Sequence, residues 1–310
     1  MQSKAWIGVA VVTVLAMACQ APSKQAPGPA KAPQPQAQAP KAPEPPPKPA
    51  SEFDGLRTAI ADWVDLLGRC DERWFARVEP SKIDNYEFPV DVDAMNAACE
   101  GLRTGMERML DLGGFRNPRM DQFLRRAAQT TDRYLMMGFR AKKISVRDKL
   151  PYKQELTALR DGLRAEVAGL KAEAAEVQAL TDADLNASSN DAPEAVVAWA
   201  RDTLGRVRAD FKAQVEDAIP TNKPVWRYGL KTTAVLAKRA AAALASARNG
   251  APGAVVVPAQ AMSGALETAA AYFTGEFFWE EDEKIDANRK TVVKAIAAYD
   301  KVAAKAFKKR

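Results

Sequence analysis

The chain has 310 residues, a net charge of +6 and not one histidine. The missing imidazole removes the commonest general base and the commonest transition-metal ligand. Five lysines against one glutamate in residues 1–50 hold four of the six positive charges, so residues 51–310 carry only +2, a balance that argues against nucleic acid as a partner.

Residues 1–18 read as a secretory signal peptide. Lys4 supplies the positive start, and Ala5 to Ala18 give a mostly apolar stretch that ends in small residues. As a helix this stretch would reach about 21 Å, short of the roughly 30 Å hydrocarbon core of a bilayer. Ala16-Met17-Ala18-Cys19 resembles the lipobox of bacterial lipoproteins, with Leu15 one place outside the position where that family usually carries leucine. The resemblance implies cleavage before Cys19 and acylation of its thiol and of the new amino terminus. One acyl chain holds a protein only marginally and several hold it stably, so a membrane anchor is expected. In that family the absence of aspartate after the cysteine, here Gln20, goes with the outer membrane rather than the inner.

Residues 19–50 read as a lipidated, disordered linker. Positions 21–50 hold eleven prolines and eight alanines, with no aromatic residue and no Ile, Leu or Val. Such a composition buries too little apolar area to fold. In polyproline II form, at ~3.1 Å per residue, it would span about 90 Å and hold a domain away from a lipid surface. The Pro-x-x-Pro at 43–46 reads as part of this spacer.

From 51 to 310 the pattern is helical, and the expectation is an all-α bundle of about seven helices. Phe53, Leu56, Ile60, Trp63, Leu67, Cys70, Trp74 and Val78 recur at three- and four-residue steps, one buried face of a first helix. Ser51 and Asp54 resemble a capping box at its start. Val92, Met95, Cys99, Leu102, Met106 and Met109 form the stripe of a second helix, ended by Gly113-Gly114. Asn117-Pro118 starts a third, as cap and first-turn proline. In a fourth, Leu156, Leu163, Leu170 and Val177 repeat every seven residues, with Leu159, Val167 and Ala174 between. A fifth carries Val197, Ala200, Leu204, Val207, Phe211, Val215 and Ala218. This coiled-coil-like spacing predicts long helices inside a bundle. A sixth helix runs from near Pro224 to Asn249-Gly250. A last one begins near Pro258 and continues towards the carboxyl terminus, with a break near Gly275. The one strand-like run, Ala254 to Pro258, is too short and isolated to make a sheet.

Two stretches carry a family resemblance. "CDERWFARVEPSKIDNYEFPVDVDAMNAACEGL" and "NPRMDQFLRRAAQTTDRYLMMGFRAKKISVRDKLPYKQELTALRDGL" resemble the YiiG-like family of bacterial lipoproteins. The likeness lies in Tyr86 between the first two helices, Cys99 in the second, Pro118 and Asp121 at the start of the third, and a Lys/Asp-rich turn into the fourth. It covers most of 55–310. That family's histidine near the fourth helix has no counterpart here. The resemblance implies a helical bundle; that family has no assigned activity, so the resemblance adds no mechanism.

Once Cys19 is acylated, Cys70 and Cys99 remain, each on the apolar stripe of consecutive helices. They read as a disulfide or as two buried free thiols, and spacing alone leaves both open. No nucleophile elbow, phosphate-binding glycine loop or Cys-x-x-Cys is present, so no catalytic, cofactor or metal residue is nominated. Asp182, Asp184, Asn186, Ser188 and Asn190 alternate as in a calcium loop, but Ala187 and Pro193 stand where the loop needs glycine and glutamate. The basic run 140–149 reads as a solvated face. Tyr272, Phe273, Phe277, Phe278 and Trp279 are the aromatics able to line a ligand groove or partner surface, against core packing as the plainer reading. The expectation is a non-enzymatic cell-envelope lipoprotein, lipid-anchored, whose helical ectodomain contacts an envelope protein or cell-wall component. The alternatives are a carrier of an apolar small molecule and, more remotely, a carboxylate-based hydrolase.

Overall fold

The computed structural model describes residues 51, 53–77, 92–112, 115–144, 150–185, 193–217, 227–247, 253–272 and 283–307. Helix is the regular structure among them and no strand occurs there, so the fold is all-α. These residues belong to one compact unit, Pro49–Arg310. Within it the helices build two hydrophobic cores.

The first core lies among α1 (Asp54–Arg77), α2 (Val92–Asp111), α3 (Pro118–Ile144) and α4 (Leu150–Gln178). They pack as a ring, α1 and α3 each against α2 and α4. Neighbours run antiparallel. Cys70 meets Cys99 and Asp62 meets Arg108 between α1 and α2, while Arg126 meets Glu173 and Arg133 meets Glu166 between α3 and α4. The sequence stripes point inward as their spacing requires: Leu56, Ile60, Trp63, Leu67 and Trp74 from α1, Leu102, Met106 and Met109 from α2, and Leu163, Leu170 and Val177 from α4 are all buried. Trp63 crosses the core to meet Phe123 edge-on, ring centroids 6.0 Å apart. Two glycines permit the close approach of α2 to α1. A Cβ on Gly101 would stand 2.7 Å from Leu66 Cδ2, and one on Gly105 would stand 3.1 Å from Trp63 Cδ1. Val78, and the side chains of Val92, Met95, Leu156 and Leu159, lie outside the described part.

Helix starts use the side chains that local chemistry demands. The Asp54 carboxylate accepts the Ser51 N–H at 2.8 Å, and Ser51 Oγ accepts the Phe53 N–H at 3.0 Å. Asn117 Oδ1 accepts the N–H groups of Arg119 and Met120 at the start of α3, at 2.9 and 3.3 Å. Asn117→Ala leaves these first-turn donors to water and is expected to lower stability by about 1 kcal/mol in urea unfolding. An unchanged midpoint would assign the start of α3 to packing alone. The one-turn α5 (Asp182–Leu185) is capped reciprocally: Asp184 accepts from Thr181 N–H at 2.9 Å, and Thr181 Oγ1 accepts from Asp184 N–H at 3.1 Å.

The second core lies among α6 (Pro193–Phe211), α7 (Arg227–Ser246), α8 (Gly253–Tyr272) and α9 (Glu283–Ala306). α6 is the fifth helix of the sequence reading, and it passes into a five-residue π-helical turn, Lys212–Glu216. Val197, Ala200, Leu204, Val207, Phe211 and Val215 are buried along it. α7 packs on α6 and α8, and α8 on α9. Arg208 meets Asp300 at 2.8 Å, and the Arg201 guanidinium lies over the Phe307 ring at 5.4 Å, which ties α6 to the end of α9.

The break expected near Gly275 falls between α8, which ends at Tyr272, and α9, which begins at Glu283. One boundary differs from the sequence reading: α8 begins at Gly253, and Pro258 sits inside it. Proline lacks the N–H that would bond the Ala254 carbonyl. Burial of Val255, Ala259, Met262 and Leu266 on one face outweighs that loss and the low helix propensity of three consecutive valines. The run Ala254 to Pro258 is therefore helix.

Candidate functional site at the joint between the two bundles

α3 and α7 differ from the other helices in being buried nearly all round. Each serves its own core and also packs against the other. Tyr228 and Val235 of α7 join the first core. The joint is built from polar contacts around that apolar seam.

Asp132 of α3 is its centre. Its side chain is 1% exposed, and its two carboxyl oxygens accept the backbone N–H groups of Tyr228 at 3.0 Å and Gly229 at 2.8 Å. A carboxylate from one bundle thus caps the helix that opens the other half of the joint. Burial raises its pKa to about 7, outweighing the two amide donors and the more distant Arg227.

Beside it, Glu107 of α2 receives Lys231 at 2.8 Å and Arg227 at 3.6 Å. The Lys231 hydrogen bond holds Glu107 below the usual carboxylate range. Tyr228 donates its hydroxyl to the same carboxylate at 3.4 Å. Burial pushes that phenol up to about 12, with the Glu107 charge adding to the shift.

A second polar group lies further along α7. Arg239 stacks over Phe115 at 4.3 Å and donates to the Leu110 carbonyl at 3.1 Å, one of the terminal carbonyls of α2. Burial lowers its pKa to about 10, with the Asp121 charge opposing. Asp121, in the first turn of α3, is 3% exposed and accepts the Trp199 indole N–H from α6 at 3.2 Å. Burial raises its pKa to about 6 against the positive charge of Arg239. Among the described residues Asp121 Oδ1 and Arg239 Nη1 meet no hydrogen-bond partner. Arg125 of α3 and Asp210 of α6 form an ion pair at the same seam.

Two surface grooves occur among the described helices, the first beside the joint and the second away from it. One, of about 440 Å³, lies between α2, α7 and α8, with Leu110, Ala234 and Ala270 among its lining and Glu107, Asp111, Lys231 and Glu267 bringing charge. The other, of about 580 Å³, lies between α1 and α4 and includes Val64, Asp65, Arg69, Glu72 and Lys171. Both are open and mixed in polarity.

The residues singled out from sequence fall as follows. Cys70 and Cys99 are joined as a disulfide, Cα atoms 5.0 Å apart, and the Trp74 indole donates to Cys99 Sγ at 3.1 Å. Tyr272 ends α8, half-buried against the second core. Phe273, Phe277, Phe278 and Trp279 lie outside the described residues, as do Cys19 and the rest of residues 1–50. The side chains of the basic run 140–149 lie outside them too. In the calcium-like loop, Asp182 pairs with Arg57 at 2.7 Å and Asp184 caps α5, so both carboxylates serve local structure. Asn186, Ser188 and Asn190 are outside the described residues. Among the described residues no group of three or more His, Cys, Asp or Glu is placed to hold a metal ion. No described helix is long and apolar enough to cross a membrane.

Sequence reading missed Asp132 and Arg239. The available signal was positional: Asp132 stands eight residues after Leu124 and four after Ala128, on a buried line of α3 where a charge has no ordinary place. Comparison with protein families, with curated proteins and with solved structures gives no match to this chain.

Proposed function

We propose that the chain is a bacterial cell-envelope lipoprotein: a signal peptide at 1–18, a lipidated Cys19 with a proline-rich spacer to residue 50, and a helical ectodomain that engages another protein of the envelope without catalysing a reaction. The resemblances of Ala16 to Cys19 to a lipobox and of most of 55–310 to YiiG-like lipoproteins support the address. The observation that carries the interaction reading is the outer side of α8. Its only charged residue is Glu267, which is paired with Lys238 at 2.8 Å. Ala254, Val257, Ala261, Gly264 and Ala271 are exposed along it, Val257 at 70%. A face whose one carboxylate is paired, with the uncharged Gln260 and Thr268 beside it, costs less to dehydrate than a charged one, which suits contact with another protein. The described joint, by contrast, spends its charged groups on holding the bundles together. Both grooves carry charged residues, which does not suit a carrier of an apolar molecule.

Two measurements test the reading. Cys19→Ser is expected to move the protein from the membrane fraction to the soluble one, with loss of the acyl mass from the mature amino terminus. A membrane-bound Cys19→Ser protein would remove the anchor. A photo-cross-linker placed at Val257 in living cells is expected to give a discrete protein adduct that the same probe at the exposed Asp65 does not. Identical patterns from both positions would remove α8 as the contact face.

A further inference from the structure

We propose that the outer face of α9 is a docking surface for an anionic lipid bilayer, held to phospholipid headgroups by Lys294, Lys301 and Lys305. The choice of a lipid surface rests on the anchored address proposed above; the cationic face is a property of the fold. Charge is divided unevenly along the chain. Residues 283–310 hold nine basic and three acidic side chains, a balance of +6, whereas residues 51–282 balance at −4. Such an asymmetry gathers positive potential on one element of a nearly neutral folded region.

The helix sorts its charges onto one side. Ile285, Val292, Ile296 and Tyr299 are buried in the second core. At ~100° per residue, Lys290, Lys294, Lys301 and Lys305 fall within an arc of about 60° on the opposite side. All four are exposed. Ala297, Ala298 and Ala304 are exposed beside them, so no bulky side chain keeps a flat surface from the ammonium groups. The carboxylates described on α9 are occupied: Asp286 by Arg289 and Lys290 at 2.5 Å each, and Asp300 by Arg208 of α6 at 2.8 Å. Lys294, Lys301 and Lys305 meet no carboxylate among the described residues. They form a row ~17 Å long whose like charges repel until an anion is brought to them. Arg201 of α6, exposed and seated over the Phe307 ring at 5.4 Å, adds a cation near the end of the helix.

A bilayer suits this row better than a nucleic acid or a folded acidic partner. The row is a ridge and not a groove, and a flat anionic sheet reaches every ammonium on a ridge at once. Lysine is a compact, hydrated charge on a flexible stem, whereas recognition in fixed geometry favours arginine forks and open aromatic rings. On α9 Tyr299 is buried and Phe307 lies under Arg201. Tethering through residues 20–50 would keep the domain within about 90 Å of a bilayer and raise the effective concentration of headgroups at this face.

The test uses the full-length chain with Cys19→Ser, so that no acyl chain contributes and the outcome does not depend on whether Cys19 is acylated. Sedimentation is read with vesicles of phosphatidylglycerol and phosphatidylcholine in equal parts, and with vesicles of phosphatidylcholine alone. Binding to the mixed vesicles at low salt is expected to exceed binding to the neutral ones by about tenfold or more, and to lose that excess at high salt. Lys294→Gln with Lys301→Gln and Lys305→Gln is expected to lower affinity for the mixed vesicles by about tenfold or more, since one lysine near an anionic surface contributes about fivefold. Arg69→Gln with Arg119→Gln and Lys171→Gln removes three exposed cations of the first bundle. That control changes net charge equally and is expected to lower affinity by less than about threefold. Glutamine keeps helix propensity at exposed sites, so both triple variants fold. Equal binding to the two kinds of vesicle would overturn the proposal, and so would equal losses in the two triple variants. Binding to an acidic polypeptide or to a DNA duplex, with none to the mixed vesicles, would overturn the lipid surface as the occupant.

Discussion

Trp63→Ala is expected to lower the unfolding free energy by about 4 kcal/mol, the upper part of the range for truncating a fully buried aromatic. Trp63 is completely buried, touches Phe123 edge-on, and lies against the α2 backbone where Gly105 lets it in. Truncation removes the transfer energy of the indole and leaves a cavity at the crossing of three helices. Collapse around it is limited, because Phe123 is held by α3, which the second core also grips. The indole nitrogen meets no hydrogen-bond partner among the described residues. Trp63→Phe therefore forfeits area but no hydrogen bond, and its cost is expected at about 1–2 kcal/mol. Urea titration of both variants checks the pair. A loss below about 1.5 kcal/mol for Trp63→Ala would mean that the site refills, and would place the centre of the first core elsewhere.

The second large effect belongs to the cross-link. Cys70→Ala with Cys99→Ala is expected to destabilise by about 3.5 kcal/mol, from the chain entropy released on opening a loop of 29 residues. Both positions are buried, at 0% and 2% exposure, so alanine leaves small cavities as well. The Trp74 indole also loses its acceptor, Cys99 Sγ. Reducing agent alone should reproduce most of the loss in the unaltered protein, since the thiols keep their volume. An identical denaturation midpoint with and without reductant would remove the cross-link from the account of stability.

Legibility varied with burial on one face or two. α1, α2, α4 and α6 each bury one stripe, and a single stripe is what a three- and four-residue period encodes. Their core residues were readable, and so was the Asn117 cap of α3. α3 and α7 were located but carried no stripe. Each is buried from both sides, so Thr130, Thr131, Asp132 and Tyr134 on one and Thr232, Thr233 and Ala234 on the other blur any period. The joint lies where periodicity fails, because its chemistry needs charge and hydroxyls on faces that elsewhere would be apolar. Asp132 finds its partners about a hundred residues away, at Tyr228 and Gly229. No local motif marks such a pairing. The start of α8 was missed for a related reason. Three valines and a proline oppose helix locally, and only the packing of α8 between α7 and α9 overrides them.

The clamp at the start of α1 has a mechanical meaning if the chain is held by its amino-terminal end. Arg57 donates to the Leu180 carbonyl at 2.8 Å and to Asp182 at 2.7 Å, so the first turn of α1 is fastened to the turn after α4 and to the start of α5. Tension arriving at Ser51 meets this fastening first. Peeling of α1 beyond it would stop at Cys70, where the covalent link to α2 passes the strain into the ring of helices. Only the first two-thirds of α1 would be extensible under a pull, and the joint with the second bundle would be shielded from it.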